Sequence, residues 1–188
     1  MTVGPDDILA FWNALGPGGW YAVDDDTDAA IRDRFQPAWR AARGGAFRDW
    51  CTTPEGALAY LILTDQFPRN MFRGSSDAFA TDALALGAAR GALLRGHDLQ
   101  IAPPARQFFY LPLMHSEALA DQDRCLALFR ERMPDPGNVR HAAAHREVIR
   151  RFGRFPYRNP ALGRANTPAE RVFLAGGGYP AVLRELEG

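Results

Sequence analysis

Thr53-Pro54-Glu55 and Thr167-Pro168-Ala169-Glu170 carry the same local instruction. A hydroxyl caps, a proline takes the first helical position where its missing N–H costs nothing, and an acid faces the positive helix end. The second is a full capping box. Signals of this kind recur from one end of the chain to the other. Asp6-Asp7 precedes Ile8, Leu9, Phe11, Trp12 and Leu15, an apolar face at helical spacing that stops at Gly16. Thr27-Asp28 opens a segment with Ile31, Phe35, Trp39 and Ala42 on one side, ended by Gly44-Gly45, and Pro37 is expected to kink or split it. The helix from Thr53 carries Leu58 and Tyr60 through Leu63 and is expected to end near Pro68, because the residue before a proline avoids the helical region.

Further on, Ser75-Ser76-Asp77 starts an alanine-rich helix reaching Arg95 and closed by Gly96. Pro103-Pro104 begins another, through Phe108 to Leu111 and disturbed at Pro112. Ser116-Glu117 starts the next, ending around Met133, and Asn138 caps one that runs to Phe152 and Gly153. Gly176 to Gly178 closes the last full helix. Runs of period 2 are absent, so the pattern predicts an all-α fold of about eight helices. Short connectors make consecutive helices antiparallel neighbours in a stack. No linker rich in serine or glycine divides the chain, and residues 1–188 read as a single all-helical domain.

With 188 residues and 47% hydrophobic content the chain supports a sizeable core, burying roughly 70% of its unfolded surface. The formal charge is zero, so no global field draws it to nucleic acid or anionic lipid. Every side-chain base other than histidine is arginine, which excludes Schiff-base chemistry on a lysine. Cys51 and Cys125 are isolated, as buried thiols of a reducing cytoplasm would be. The acidic N-terminus lacks a signal-peptide pattern, and the apolar run from Ala57 to Leu63 is far short of the ~20 residues of a membrane span. The expectation is a cytoplasmic protein without membrane contact; nothing in the sequence speaks to its oligomeric state.

Polar residues gather in four places. Asp65, Gln66, Arg69 and Asn70 follow an apolar helix, with Asp65 and Arg69 four apart and Arg73 extending the row. They form either an ion pair stitching a helix end to its turn, or one wall of a pocket in which Arg69 grips a carboxylate or phosphate. Arg154, Arg158 and Asn159 echo that segment. His115-Ser116-Glu117 sets an imidazole beside a carboxylate, although Ser116 and Glu117 also suit a helix start. His141 and His145, at i and i+4, are half of a metal site; Ala142 stands where the metalloprotease glutamate would be, so no metal is expected. His145 suits a pocket wall. Finally, residues 140–164 hold Arg140, Arg146, Arg150, Arg151, Arg154, Arg158 and Arg164 against Glu147 alone, while Asp6, Asp7, Asp24, Asp25, Asp26 and Asp28 precede the first arginine. Mutual neutralisation across the fold is the expectation, not nucleic-acid binding. No nucleophile elbow, P-loop or Rossmann glycine pattern is present, and no cofactor is implied.

Three of these stretches recur together in one family: Leu63 through Asn70, Tyr110 through Glu117, and Arg151 through Asn159. Ile8 through Trp12 and Leu162-Gly163-Arg164 with Thr167 and Glu170 also fit. Over nearly its whole length the chain resembles the uncharacterised bacterial family catalogued as domain of unknown function 924. The resemblance implies an all-helical fold similar to tetratricopeptide-like superhelices and brings no established substrate, cofactor or catalytic residue. Such proteins often have histidine where this chain has Tyr157.

The residues and the resemblance together lead to a polar, arginine-containing pocket for a small anionic molecule. Its expected walls are Asp65, Gln66, Arg69, Asn70, His115, Glu117, His145, Arg154, Arg158 and Asn159, converging from distant parts of the chain. Arg69, Arg154 or Arg158 would hold the anion, with acid–base capacity from His115 or His145 and Asp65 or Glu117. The rival is a module that takes a protein or peptide on a concave helical face, with the polar motifs as a structural clasp.

Overall fold

A computed structural model describes residues 3–186. Those residues are helical and contain no strand. The chain divides after Pro112 into two compact units.

In the first unit, α1 (Pro5–Gly19) is held at its start by Asp7, whose carboxylate accepts from the Gly4 N–H at 2.8 Å. Its helical course breaks at Gly16, which adopts φ 65°, a left-handed value open to glycine. Helix α2 (Asp25–Arg43) starts two residues before the expected Thr27, capped by Asp24. It runs unbroken through Pro37. The proline sits on the exposed face, so water can reach the carbonyl that lost its donor. A 3-10 turn (Arg48–Thr52) leads to α3 (Pro54–Leu61), whose cap Thr53 Oγ1 accepts from Gly56 N at 3.2 Å.

Pro68 does not end the helix. One π turn (Ile62–Gln66), with Phe67 N donating to Ile62 O, widens the coil, and α4 (Phe67–Met71) follows with Pro68 in its first turn. The expected helix from Ser75 begins as a 3-10 turn (Ser76–Phe79) before α5 (Asp82–Leu94). Between them lies buried Thr81, whose hydroxyl donates to Thr64 O at 2.5 Å and accepts from Trp39 Nε1 at 3.1 Å, tying that junction inward. Short α6 (His97–Gln100) follows the left-handed Gly96. The segment after Pro103-Pro104 is a 3-10 turn (Ala105–Phe109) and α7 (Leu111–Met114) rather than one helix. These short pieces raise the tally above the eight expected. The core of this unit is aromatic: Phe67 stacks on Phe35 at 4.8 Å and meets Trp12 edge-on at 5.7 Å, and Trp20 meets Phe108 at 4.9 Å.

In the second unit, α8 (Leu119–Arg132) starts later than expected. Ser116 Oγ donates to Asp121, and Glu117 is drawn elsewhere. Helix α9 (Pro136–Phe152) is capped by Asp135, not Asn138: the Asp135 carboxylate accepts from Asn138 N at 2.9 Å. Gly153 closes it at φ 67°. Helix α10 (Pro168–Ala175) carries the expected capping box, and α11 (Gly178–Glu185) starts inside the triple glycine. Helix α9 packs against α8 and α11, and Ala144, Val148, Ile149, Phe155 and Val182 are buried together. No helix among the described residues is long and apolar enough to cross a membrane.

Candidate functional site

The π turn delivers Asp65, Gln66, Arg69 and Asn70 into a network inside the first unit. Asp65 is buried; Gln66 Nε2 donates to its carboxylate, and the Arg69 guanidinium stands 3.3 Å away. Arg69 also donates to Asp65 O at 2.5 Å and pairs with Asp82 at 3.0 Å. The expected i, i+4 pair is present, and Asp82 joins it from α5. Asn70 Nδ2 donates to the buried Asp28 carboxylate at 2.8 Å, which Arg73 also grips. These charges tie α4 to α2 and α5. Tyr21 donates to Gln107 Oε1 at 2.6 Å; burial, then the Asp65 charge, push its phenol pKa up.

In the second unit the Arg154–Asn159 segment is held by carboxylates. Arg154 is bidentate on Glu170 at 2.5 and 2.8 Å, and Asn159 Nδ2 donates to Asn166 Oδ1 at 2.7 Å. Arg154 holds the Glu170 carboxyl down to about 2, helped by the Thr167 N–H. Glu117 accepts from both Arg164 Nη atoms at 2.7 and 2.9 Å and from Phe155 N at 2.8 Å. Burial would raise its pKa, but these donors outweigh it and hold the carboxyl below the usual range. Arg154, Asn159 and Glu117 are therefore engaged in fixing the loop. Arg158 is buried, donates to His115 O at 3.1 Å and lies 4.4 Å over the Phe155 ring.

His145 stands apart from those ties. It lines a cleft of about 500 Å³ whose other walls are Tyr157, Leu174, Gly177, Gly178, Tyr179 and Pro180. Its Nδ1 must donate to His141 O at 2.9 Å, since a carbonyl only accepts, so Nε2 carries the lone pair. Desolvation pushes its pKa down to about 3, overcoming the His141 carbonyl, and the charges of His115 and Arg158 add to the fall. His145 is therefore a neutral acceptor at ordinary pH. Its ring packs 4.6 Å from Tyr179 and 5.6 Å from Phe155, and His115 lies 6.4 Å away. Tyr179 Oη meets His141 Nδ1 at 2.7 Å, and burial raises the phenol pKa. Among the described residues no carboxylate lines this cleft. His141 and His145 thus each use Nδ1 within the fold, and among the described residues no three His, Cys, Asp or Glu stand where they could share a metal.

The expected wall residues therefore fall into two sets, Asp65 to Asn70 in one unit and His115 to Asn159 in the other. Sequence reasoning left out Asp82, which carries no local signal, and read Asp28 as a helix start and part of an acidic run, not as a partner of Asn70 and Arg73. It read Glu170 as part of a capping box and of the family pattern, not as the partner of Arg154. Tyr179 was missed too, although an aromatic directly after three glycines is a usable mark of a pocket wall.

The fold and these sites define an all-helical protein with one charged network in each unit and an aromatic, histidine-lined cleft. The chain belongs to the family described as bacterial protein of unknown function (DUF924), whose sequence model matches residues 8–178. It is similar to the solved structure of a protein of unknown function from Agrobacterium tumefaciens, ATU0120, with 42% identity and a TM-score of 0.87 over 90% of this chain and 96% of that one. A search of curated proteins found no match.

Proposed function

We propose that the protein binds a small anionic molecule in the cleft of the second unit, over His145, Tyr157 and Tyr179. The observation that carries this is the His145 ring, its Nδ1 held by the His141 carbonyl and its Nε2 without a partner among the described residues, in a cleft that no described carboxylate lines, where burial and the Arg158 charge keep it neutral. An acceptor nitrogen asks for a hydroxyl or N–H on the ligand. The arginine field asks for an anion, and the rings and Leu174 ask for an apolar or planar body. A small hydroxy- or amino-substituted carboxylate meets all three demands. With so low a pKa, His145 is a hydrogen-bond acceptor rather than an efficient base at neutral pH, which favours binding over conversion. The Asp65–Asn70 segment is, in this reading, the clasp of the first unit. A tetratricopeptide-like helical stack, which the family resemblance implies, belongs to the same proposal.

The test is ligand-observed NMR with a panel of small hydroxy acids, amino acids and their uncharged amides. Saturable binding of acids but not amides, lost in His145→Phe, is expected. Equal binding of acid and amide, or full retention in His145→Phe, would remove the cleft as the site.

A further inference from the structure

The 3-10 turn before α3 is held in an unusual conformation. Phe47 adopts φ 65°, a left-handed value rare for a residue with a side chain, and its ring stacks on Trp50 at 4.6 Å. The turn then presses onto α3 at Gly56, where an added Cβ would lie 2.2 Å from Trp50 O. That backbone sets Arg48 and Cys51 at a cavity of about 300 Å³, closed by Tyr60 and by Ala83, Leu84, Gly87 and Ala88 of α5.

The polar groups round this cavity are uncommitted. Tyr60 is 2% exposed, yet its hydroxyl has no hydrogen-bond partner among the described residues. Tyr60 lines the cavity together with Arg48 and Cys51, and burial raises its phenol pKa. The hydroxyl oxygen is not among the buried polar atoms left without a partner, so solvent reaches it in the free protein and a ligand acceptor would take the place of water. The exposed Arg48 guanidinium makes no ion pair or hydrogen bond with any described residue. Cys51 is half-buried and its thiol pKa is raised, mainly by desolvation and also by Asp49, against the lowering effect of Arg95; the thiol stays protonated.

We propose that this cavity binds a small monocarboxylate with a short apolar body, its carboxylate between Arg48 and the Tyr60 hydroxyl and its body against the α5 wall. Guanidinium, phenol and thiol are all donors, so the partner is an acceptor. One cation suits a single negative charge better than a phosphate dianion, and the small side chains of α5 leave a flat wall for a ring or short chain. This site lies within the first unit and stands independently of the cleft over His145.

Cys51 supplies its own reporter. The only other cysteine, Cys125, is fully buried, so iodoacetamide labelling followed by intact mass reads Cys51. With benzoate as the probe, labelling of the full chain should slow saturably, with half-protection at concentrations on the order of 1 mM. Benzyl alcohol, alike in size but uncharged, should protect at least tenfold less well. Tyr60→Phe removes only the unpartnered hydroxyl and should leave the melting temperature unchanged while weakening protection by roughly tenfold. Arg48→Met, at an exposed position, should weaken it at least as much. Absence of saturable protection, equal protection by benzyl alcohol, or unaltered protection in either variant would overturn the assignment.

Discussion

His145 shows how one side chain can be read from its surroundings. Its i, i+4 relation to His141 is visible in the sequence, but the tautomer follows from the carbonyl it meets and the neutrality from its burial. That neutrality has a consequence for stability. The pKa falls from 6.5 in the unfolded chain to about 3 in the fold, so between these values the unfolded chain binds a proton that the native protein does not. The contribution of His145 is fully present above pH 6.5 and is lost as the pH falls toward 3. The slope is at most about 1.4 kcal/mol per pH unit. His141, also lowered by burial and Arg140, acts in the same direction. In His145→Phe, denaturant unfolding measured across this window should show a flatter dependence than wild type; identical slopes would mean that His145 titrates normally.

At the scale of elements, the helices with explicit caps were legible and the junctions were not. Thr53, Thr167 and Gly153 act as the sequence says, because each satisfies an orphaned backbone group with a local partner. The π turn at Ile62–Gln66 and the break at Thr81 depend on partners far along the chain: Thr81 answers to Thr64 and Trp39, which no local window contains. The candidate residues followed the same rule. Asp65 and Arg69 could be paired from spacing, whereas Asp82 and Asp28 reach that network only through tertiary packing. Gly56 is another such junction. By intrinsic propensity, Gly56→Ala in α3 should stabilise by about 1 kcal/mol. The close approach of Trp50 O, a backbone atom, reverses the sign, since the 3-10 turn must move to admit a methyl group. A net loss of roughly 1–3 kcal/mol in chemical denaturation is expected; a more stable variant would show that the turn yields easily.

For the whole molecule, zero net charge conceals an uneven distribution. Residues 113–188 hold twelve arginines against nine carboxylates, and residues 1–112 hold ten against thirteen. The expected neutralisation of the basic tract by the N-terminal aspartates has a nearer alternative. Arg146 pairs with Asp123, Arg150 and Arg151 with Glu147, Arg151 also with Glu185, Arg154 with Glu170, and Arg164 with Glu117. Five of the seven tract arginines thus meet carboxylates of their own unit. Counterion release on nucleic acid needs arginines that can leave their partners for phosphate, and each phosphate bound by these five would break an existing ion pair. Of the tract aromatics that would stack on bases, Phe155 is buried in the core of the second unit and Phe152 packs against it, which leaves Tyr157 exposed. A short DNA duplex or a single-stranded RNA should therefore show no mobility shift with micromolar protein at about 0.15 M salt, where specific nucleic-acid binders hold with affinities near 10⁻⁸ M or tighter. At low salt any weak association should vanish with a shallow dependence on ionic strength. Sub-micromolar binding with a steep salt slope would show that the tract is an open basic surface, and the ion pairs within the second unit would then be exchanging with solvent faster than they hold the fold.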